Sequence, residues 1–173
     1  FYGFRYVRID SYPTDIEPEN FTAVVVHSEM KRTGYIESSD PLLNQLFSNI
    51  IWGQKGNFLD IPTDCPQRDE RLGWTGDAQV FVRTAAINYD VERFFKKWLA
   101  DVRNEQLENG QIPFVIPDAL RKHFSAAGWS SCITMIPWTL YEMYGDITFL
   151  EENYEAMKKY LRSFEEKMEN GLI

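Results

Sequence analysis

Apolar residues follow a two-residue period in the first part of the chain. Residues 4–9 alternate aromatic or aliphatic side chains with basic ones, and residues 21–27 contain three consecutive valines. Such segments are typical of half-buried β-strands, and Pro13 and Pro18 mark a loop between them. A further short extended piece is predicted around residues 34–36. The beginning of the chain is therefore predicted to be β-rich.

From residue 40 onward, apolar residues recur at the three- and four-residue spacing of an amphipathic helix. Asp40 is predicted to be an N-cap, with Pro41 in the first helical position. Five helices are predicted in all, over residues 41–56, 76–88, 90–109, 129–144 and 148–169. The connections between them are alternately short and long, so an array of helical hairpins would place loops 57–75 and 109–128 at one end. Long ordered loops usually carry function.

Charge and composition exclude several classes of partner. The formal net charge is −8, which argues against nucleic acid, because phosphate binding needs clustered Lys and Arg. The chain has no run of about 18 apolar residues, so no membrane span is predicted. Cys65 and Cys132 form no CxxC motif and are predicted to be free thiols, which slightly favours a cytoplasmic location. His27 and His123 have no His or Cys at ligand spacing, so no zinc site is predicted, although His123 could line a cleft.

The first long loop and the start of the next helix contain the most chemically informative side chains. They comprise five carboxylates, two guanidinium groups and an indole: Asp60, Asp64, Asp69, Glu70, Asp77, Arg68, Arg71 and Trp74. A stiff loop of this kind suits carbohydrate chemistry, in which one carboxylic acid protonates a glycosidic oxygen and others bind hydroxyls. It is equally typical of a surface loop whose charges pair with each other. The spacing and Gly turn of an EF-hand are missing, so no metal is predicted.

The segment 64–77 resembles the signature loop of the bacterial α-L-rhamnosidases, glycoside hydrolase family 78, nearly letter for letter: DCPQRDERLGWTGD. Other segments that resemble that family's pattern occur before and after this loop, in the expected order. Residues 3–7 resemble a strand that closes a β-sandwich, residues 106–117 resemble the next active-site loop, and residues 137–146 resemble the helix beyond it. The resemblance therefore spans most of the chain.

This resemblance implies a mainly α fold, an incomplete (α/α)6 barrel of helical hairpins preceded by strands of a β-sandwich. Residues 1–33 would be the last strands of the sandwich, and residues 34–173 the first part of the catalytic barrel. The implied reaction is the hydrolysis of terminal α-L-rhamnosides with inversion, and it needs no cofactor. The implied partner is a rhamnose-containing glycoside or oligosaccharide.

The resemblance also implies roles for individual residues. Glu70 matches the general acid. The residues that match hydroxyl-binding positions are Asp64, Arg68 and Asp77, and those that match aromatics lining the sugar subsite are Trp74 and Trp129. We expect Asp69 and Arg71 to fix the loop as an ion pair. The family's catalytic base is a Glu on a later loop, and no segment here resembles that loop, so residues 1–173 alone are expected to be inactive.

One departure from the family pattern leaves alternatives open. Ser131 stands where the family usually has an Asp two residues after the indole of Trp129. A serine hydroxyl can donate and accept hydrogen bonds, but it supplies no negative charge. The alternatives are another (α/α)6 carbohydrate-active enzyme, such as a different exo-glycosidase or a lyase, and a non-catalytic relative that binds rhamnose without turnover.

Overall fold

A computed structural model of the chain describes residues 3–121, 125–165 and 168. Its helices are α1 (Pro41–Asn57), α2 (Thr75–Asn88), α3 (Glu92–Asn104), α4 (Ala127–Ser130), α5 (Cys132–Tyr144), α6 (Thr148–Glu151) and α7 (Tyr154–Glu165). A small antiparallel hairpin joins β1 (Phe58–Leu59) to β2 (Ile61–Pro62), and a 3-10 turn covers Pro18–Asn20. His123 lies outside the described residues. None of the described helices is both long and apolar enough to cross a bilayer.

Local signals set several helix ends as predicted. The Asp40 carboxylate accepts a hydrogen bond from the backbone N–H of Leu42 at 2.8 Å, and Pro41 occupies the first turn of α1. Helix α5 ends at Gly145, whose φ of 72° is the left-handed conformation that glycine adopts at least cost. These two boundaries depend only on neighbours in sequence, which is why the sequence predicts them.

Two of the predicted helices are each broken into a short and a long piece. The predicted helix 148–169 divides around Asn153, whose side chain donates to the carbonyl of Phe149 at 2.7 Å and accepts from Arg103 at 2.8 Å. The predicted helix 129–144 divides at Ser131. The third predicted helix ends early, at Asn104, and a turned segment leads to Gly110.

The strands predicted over residues 4–9, 21–27 and 34–36 are wrong for the described part of the chain. An isolated bridge joins Arg32 to Tyr89, and no ladder involves residues 3–31. A strand needs a neighbouring strand to pair its backbone groups, and these segments have none among the described residues. Their apolar side chains stay exposed, with Val24 at 75%.

The core lies between α2, α3, α5 and α7. Helix α2 packs on α5, and α5 also contacts α3 and α7. One face of α3 buries Phe95, Trp98, Leu99 and Val102, while its other face is polar, as in a helix that faces solvent. Helices α2 and α5, in contrast, also leave apolar side chains exposed away from that core.

The two long loops lie at the same end of the helices, as predicted. The backbone N–H of Ile116 donates to the carbonyl of Gly73, and that of Thr75 donates to Phe114, both at 2.9 Å. At the opposite end, the backbone N–H of Val91 donates to the hydroxyl of Tyr144 at 2.9 Å, which brings two short turns together. The long loops therefore form a common surface.

Candidate active site

The end of the first long loop is held tightly against the second. Gly73 approaches the second loop so closely that a Cβ atom would lie 2.1 Å from the carbonyl oxygen of Ile116, so only glycine fits. The same carbonyl accepts a hydrogen bond from the buried indole of Trp98 at 3.1 Å. Residues 73–75 therefore enter α2 along a fixed path, which sets the position of the side chains that follow.

Asp64 joins the two ends of the loop segment 64–72 through hydrogen bonds to Leu72. Its backbone N–H donates to the carbonyl of Leu72 at 3.1 Å, and its Oδ1 accepts from the N–H of Leu72 at 3.0 Å. Its Oδ2 accepts from the thiol of Cys65 at 3.0 Å. Burial raises the pKa of the Cys65 thiol, which keeps its proton available for this bond. A carboxylate oxygen has two lone pairs, so Asp64 can still accept from a sugar hydroxyl.

Glu70 and Arg68 lie side by side, as an ion pair. Arg68 contacts Oε2 of Glu70 through Nη2 at 2.9 Å and through Nε at 3.1 Å. The side chain of Glu70 is 33% exposed, so it is reachable from solvent. The structure therefore brings the predicted general acid and a predicted hydroxyl-binding residue to one place.

A trio of possible ligand atoms occurs in this loop. Oxygen or sulfur atoms of Asp64, Cys65 and Glu70 lie within 4.8 Å of one another. The guanidinium of Arg68 is already paired with Glu70 and brings a positive charge to this place. That charge disfavours a cation, and the absence of a metal site stays a prediction.

Asp77 lies in the first turn of α2, with its side chain exposed at the rim. Partial burial raises the pKa of its carboxyl, and the charges of Asp64 and Glu70 raise it further, while a hydrogen bond from its own backbone lowers it. The negative charges of Asp64 and Glu70 therefore reach the carboxyl of Asp77.

Two indoles and a phenyl ring form the aromatic part of the site. Trp74 and Phe114 are tilted, with ring centroids 6.3 Å apart, and Phe114 meets Trp129 edge to face at 5.3 Å. Trp129 is 38% exposed and covers Gly76, where a Cβ atom would lie 2.9 Å from the indole. The buried indole N–H of Trp74 has no acceptor within the described ranges.

Sequence reasoning missed two residues of this region, Phe114 and Gln79. Phe114 links the two predicted indoles, and its place beside Pro113 in the second long loop was a usable signal. The side chain of Gln79 bonds to Ser131 and to the backbone of Gly128. These partners are about fifty residues away in sequence, and no local pattern predicts them.

The remaining loop predictions concern pairing. Arg71 donates to Asp69 at 2.9 Å, so the predicted ion pair forms. Cys65 and Cys132 are both free and buried.

A cleft of about 550 Å³ between α1 and α2 has Asn57, Thr63, Asp64, Gly76 and Asp77 in its wall. It joins two of the predicted carboxylates, Asp64 and Asp77, to the N-terminus of α2.

Known proteins with related sequences are α-L-rhamnosidases. An α-L-rhamnosidase of Formosa agariphila is 50% identical over 163 residues, which is 93% of this chain and 18% of that protein. The present chain thus spans about a fifth of the length of the relatives it matches.

Solved structures agree with the sequence match. The native α-L-rhamnosidase of Aspergillus terreus superposes with a TM-score of 0.86 at 48% identity, over 92% of this chain and 19% of that one. The Streptomyces avermitilis α-L-rhamnosidase, solved in complex with L-rhamnose, gives a TM-score of 0.79 at 43% identity, over 83% of this chain and 14% of that one.

These matches confirm the predicted fold class, a mainly α chain that forms part of an (α/α)6 barrel. Residues 31–173 match the family described as the bacterial alpha-L-rhamnosidase 6 hairpin glycosidase domain. The family match, the identities and the superposed structures agree, and the chain belongs to this family of glycosidases.

Proposed function

We propose that the full-length protein removes terminal α-L-rhamnose from rhamnosides with inversion, and that Glu70 is its general acid. The observation that carries the proposal is the position of the Glu70 carboxyl. It is one-third exposed and paired with Arg68. It lies in a loop segment whose two ends are joined by the hydrogen bond between Asp64 and Leu72. A carboxyl that solvent can reach and that the surrounding loop holds in place is what protonation of a glycosidic oxygen requires.

The sugar would be held by the groups around Glu70. We assign hydroxyl binding to Asp64, Arg68 and Asp77, and contact with the apolar ring face and C6 methyl to Trp74 and Trp129. The buried indole N–H of Trp74 finds no acceptor among the described residues, and this supports a polar ligand there, because a buried donor without a partner is costly. The relative bound to L-rhamnose supports the identity of the sugar.

The proposed mechanism needs a second carboxylate as base. An inverting glycosidase separates its acid and base by roughly 6.5–9.5 Å to admit the attacking water. Asp64 has an oxygen within 4.8 Å of Glu70, and both of its oxygens already accept hydrogen bonds. Asp64 is therefore a poor base, and we place the base outside residues 1–173.

In the proposed step, Glu70 gives its proton to the glycosidic oxygen as the bond from that oxygen to C1 breaks. The base takes a proton from water, whose oxygen bonds to C1 from the opposite face. The products are β-L-rhamnose and the free alcohol, Glu70 ends as a carboxylate and the base ends protonated.

The test compares the full-length wild type with its Glu70→Gln variant on an aryl and an alkyl α-L-rhamnoside. We expect kcat/KM on the alkyl substrate to fall about 10²- to 10⁴-fold, because the amide cannot donate the acid proton. The loss should shrink on the aryl substrate, whose leaving group needs less protonation. Glu37→Gln, an exposed residue away from the loop, is the matched control and should retain full activity.

Other outcomes would favour the alternatives. Binding of L-rhamnose by the wild type without any turnover would favour a non-catalytic relative, for which Ser131 is the motivating feature. Turnover of other aryl glycosides but not of the rhamnoside would indicate a different (α/α)6 enzyme. Proton NMR of the first product formed would show β-rhamnose if the reaction inverts, and α-rhamnose would contradict that part of the proposal.

A further inference from the structure

A single glutamine of α2 makes hydrogen bonds to residues on both sides of Trp129. Nε2 of Gln79 donates to the carbonyl oxygen of Gly128, and Oε1 accepts from the hydroxyl of Ser131 at 3.0 Å. The orientation of the amide follows from its partners, because a carbonyl can only accept a hydrogen bond. Gly128 lies within the one-turn helix α4 and Ser131 follows it, so the two residues stand on either side of Trp129 in the sequence. The amide of Gln79 thus closes a bridge across the turn.

The same face of α2 supports the indole directly. Gly76 lies three residues before Gln79, so the two are neighbours on one helical face. An added Cβ atom at Gly76 would lie 2.9 Å from Cδ1 and Nε1 of Trp129, so the ring rests on the helix backbone. Phe114 closes another side of the ring, edge to face. The position of Trp129 is therefore set by Gly76, Phe114 and the bridge from Gln79.

We propose that Gln79 is a positioning residue that holds Trp129 against the sugar subsite through Gly128 and Ser131. The inference rests on the proposed function, because it takes Trp129 to be part of that subsite. It extends that function to a residue which touches no substrate and acts only through the turn.

The inference also gives Ser131 a role. With Nε2 committed to Gly128, Oε1 needs a hydrogen from its other neighbour, and the hydroxyl of Ser131 supplies one. A carboxylate at position 131 has no hydrogen to give and would face Oε1 with a negative charge. Ser131 is thus matched to this orientation of the amide.

The experiment uses the full-length protein and its Gln79→Leu variant, which keeps much of the side-chain volume and removes both hydrogen bonds. Calorimetry gives the Kd for L-rhamnose, and steady-state kinetics on an aryl α-L-rhamnoside give kcat and KM. We expect Kd and KM to rise about tenfold, because without the bridge the indole would occupy its binding position in only about a tenth of the molecules. We expect kcat to change less than about threefold, because Glu70 is untouched. Gln45→Leu is the matched control, since this exposed α1 glutamine bonds to a nearby surface side chain, Asn49.

A double-mutant cycle separates positioning from general damage. In a Trp129→Ala background, Gln79→Leu should leave Kd unchanged, because there is no indole left to position. A rise in Kd of the same size in both backgrounds would overturn the proposal, as would an unchanged Kd in the single variant. If Gln79→Leu fails to fold, Ser131→Ala removes one of the two bonds and should give a smaller rise that also vanishes without Trp129.

The two proposals fail in different ways. A wild-type protein that neither binds L-rhamnose nor cleaves rhamnosides overturns the proposed function and this inference with it. A wild type that binds and cleaves normally, beside a Gln79→Leu variant with the same Kd and KM, overturns only the positioning role.

Discussion

At the scale of single residues, the site depends on places where no side chain can be added. Gly73 lies against the second long loop and Gly76 lies under the indole of Trp129. Both are in the segment 64–77, between the charged residues and the helix that they enter. Neither glycine has a positive φ, so neither is needed for a left-handed backbone. Their role is to let a neighbouring segment approach the backbone closely. The carboxylates and indoles can come together only because these two residues have no side chain.

The substitution Gly76→Ala tests this closeness. The new methyl group would lie 2.9 Å from the Trp129 indole, so the ring has to move from its seat. We expect Kd of the full-length protein for L-rhamnose to rise several-fold in calorimetry, with a smaller change in kcat. The same alanine should have little effect when residue 129 is also alanine. An unchanged Kd in the single variant would show that the ring position does not matter for binding.

At the scale of elements, helix ends and turns are fixed by a few polar contacts. Asp146 follows the left-handed Gly145 and accepts from the backbone N–H of Thr148 at 2.9 Å at the start of α6. It also accepts from Lys96 of α3 at 2.5 Å. The hydrogen bonds from Lys96 and from the backbone N–H of Thr148 lower the pKa of Asp146 to about 2. One carboxylate therefore joins three helices at the end opposite the active site.

This contact predicts a pH-dependent stability. The folded pKa of Asp146, about 2, lies below the value of roughly 3.9 for an unfolded Asp. The stabilisation is therefore complete above about pH 4 and is lost as the pH falls towards 2. Asp146→Asn keeps an acceptor for Thr148 but loses the ion pair with Lys96.

We expect Asp146→Asn to lower the Tm of the full-length protein at pH 7. The difference in Tm between the variant and the wild type should shrink in thermal melts taken at successively lower pH, from pH 5 to pH 2.5. Asp15→Asn, at an exposed loop position, serves as the control and should follow the wild type throughout. A Tm difference that stays constant over this range would show that charge on Asp146 contributes nothing.

At the scale of the whole molecule, the helices differ in what they leave uncovered. Helices α3 and α7 have one apolar and one polar face. Helices α2 and α5 pack on each other and still expose apolar side chains, among them Val80 at 81% and Trp138 at 54%. In a ring of helical hairpins, α2 and α5 are then the inner helices and α3 and α7 the outer ones.

The exposed apolar side chains predict how residues 1–173 behave when prepared alone. Contiguous apolar surface of this kind promotes association, so we expect sedimentation velocity to show oligomers or aggregates. Replacing Val80 and Met135 by Gln should shift the distribution towards monomer. A compact monomer without these replacements would contradict the prediction.

The sequence predicted the parts of the molecule that depend on neighbouring residues. The start of α1 follows from Asp40 and Pro41, and the end of α5 follows from Gly145. The Asp69–Arg71 pair was expected as part of the signature loop. The signature segment predicted the family. The strands over residues 4–9 and 21–27 failed, because a strand pattern shows only that one face is apolar and does not supply a partner.

The helical period, the caps and the loop that carries Glu70 were thus determined by the sequence itself, because propensity and capping act over a few residues. The break at Asn153 and the bridge of Gln79 to the Trp129 turn were decided only in three dimensions. Each joins groups about fifty residues apart, Arg103 to Asn153 and Gln79 to Ser131. A hydrogen bond between distant residues depends on how helices pack, and the packing exists only once the chain has folded.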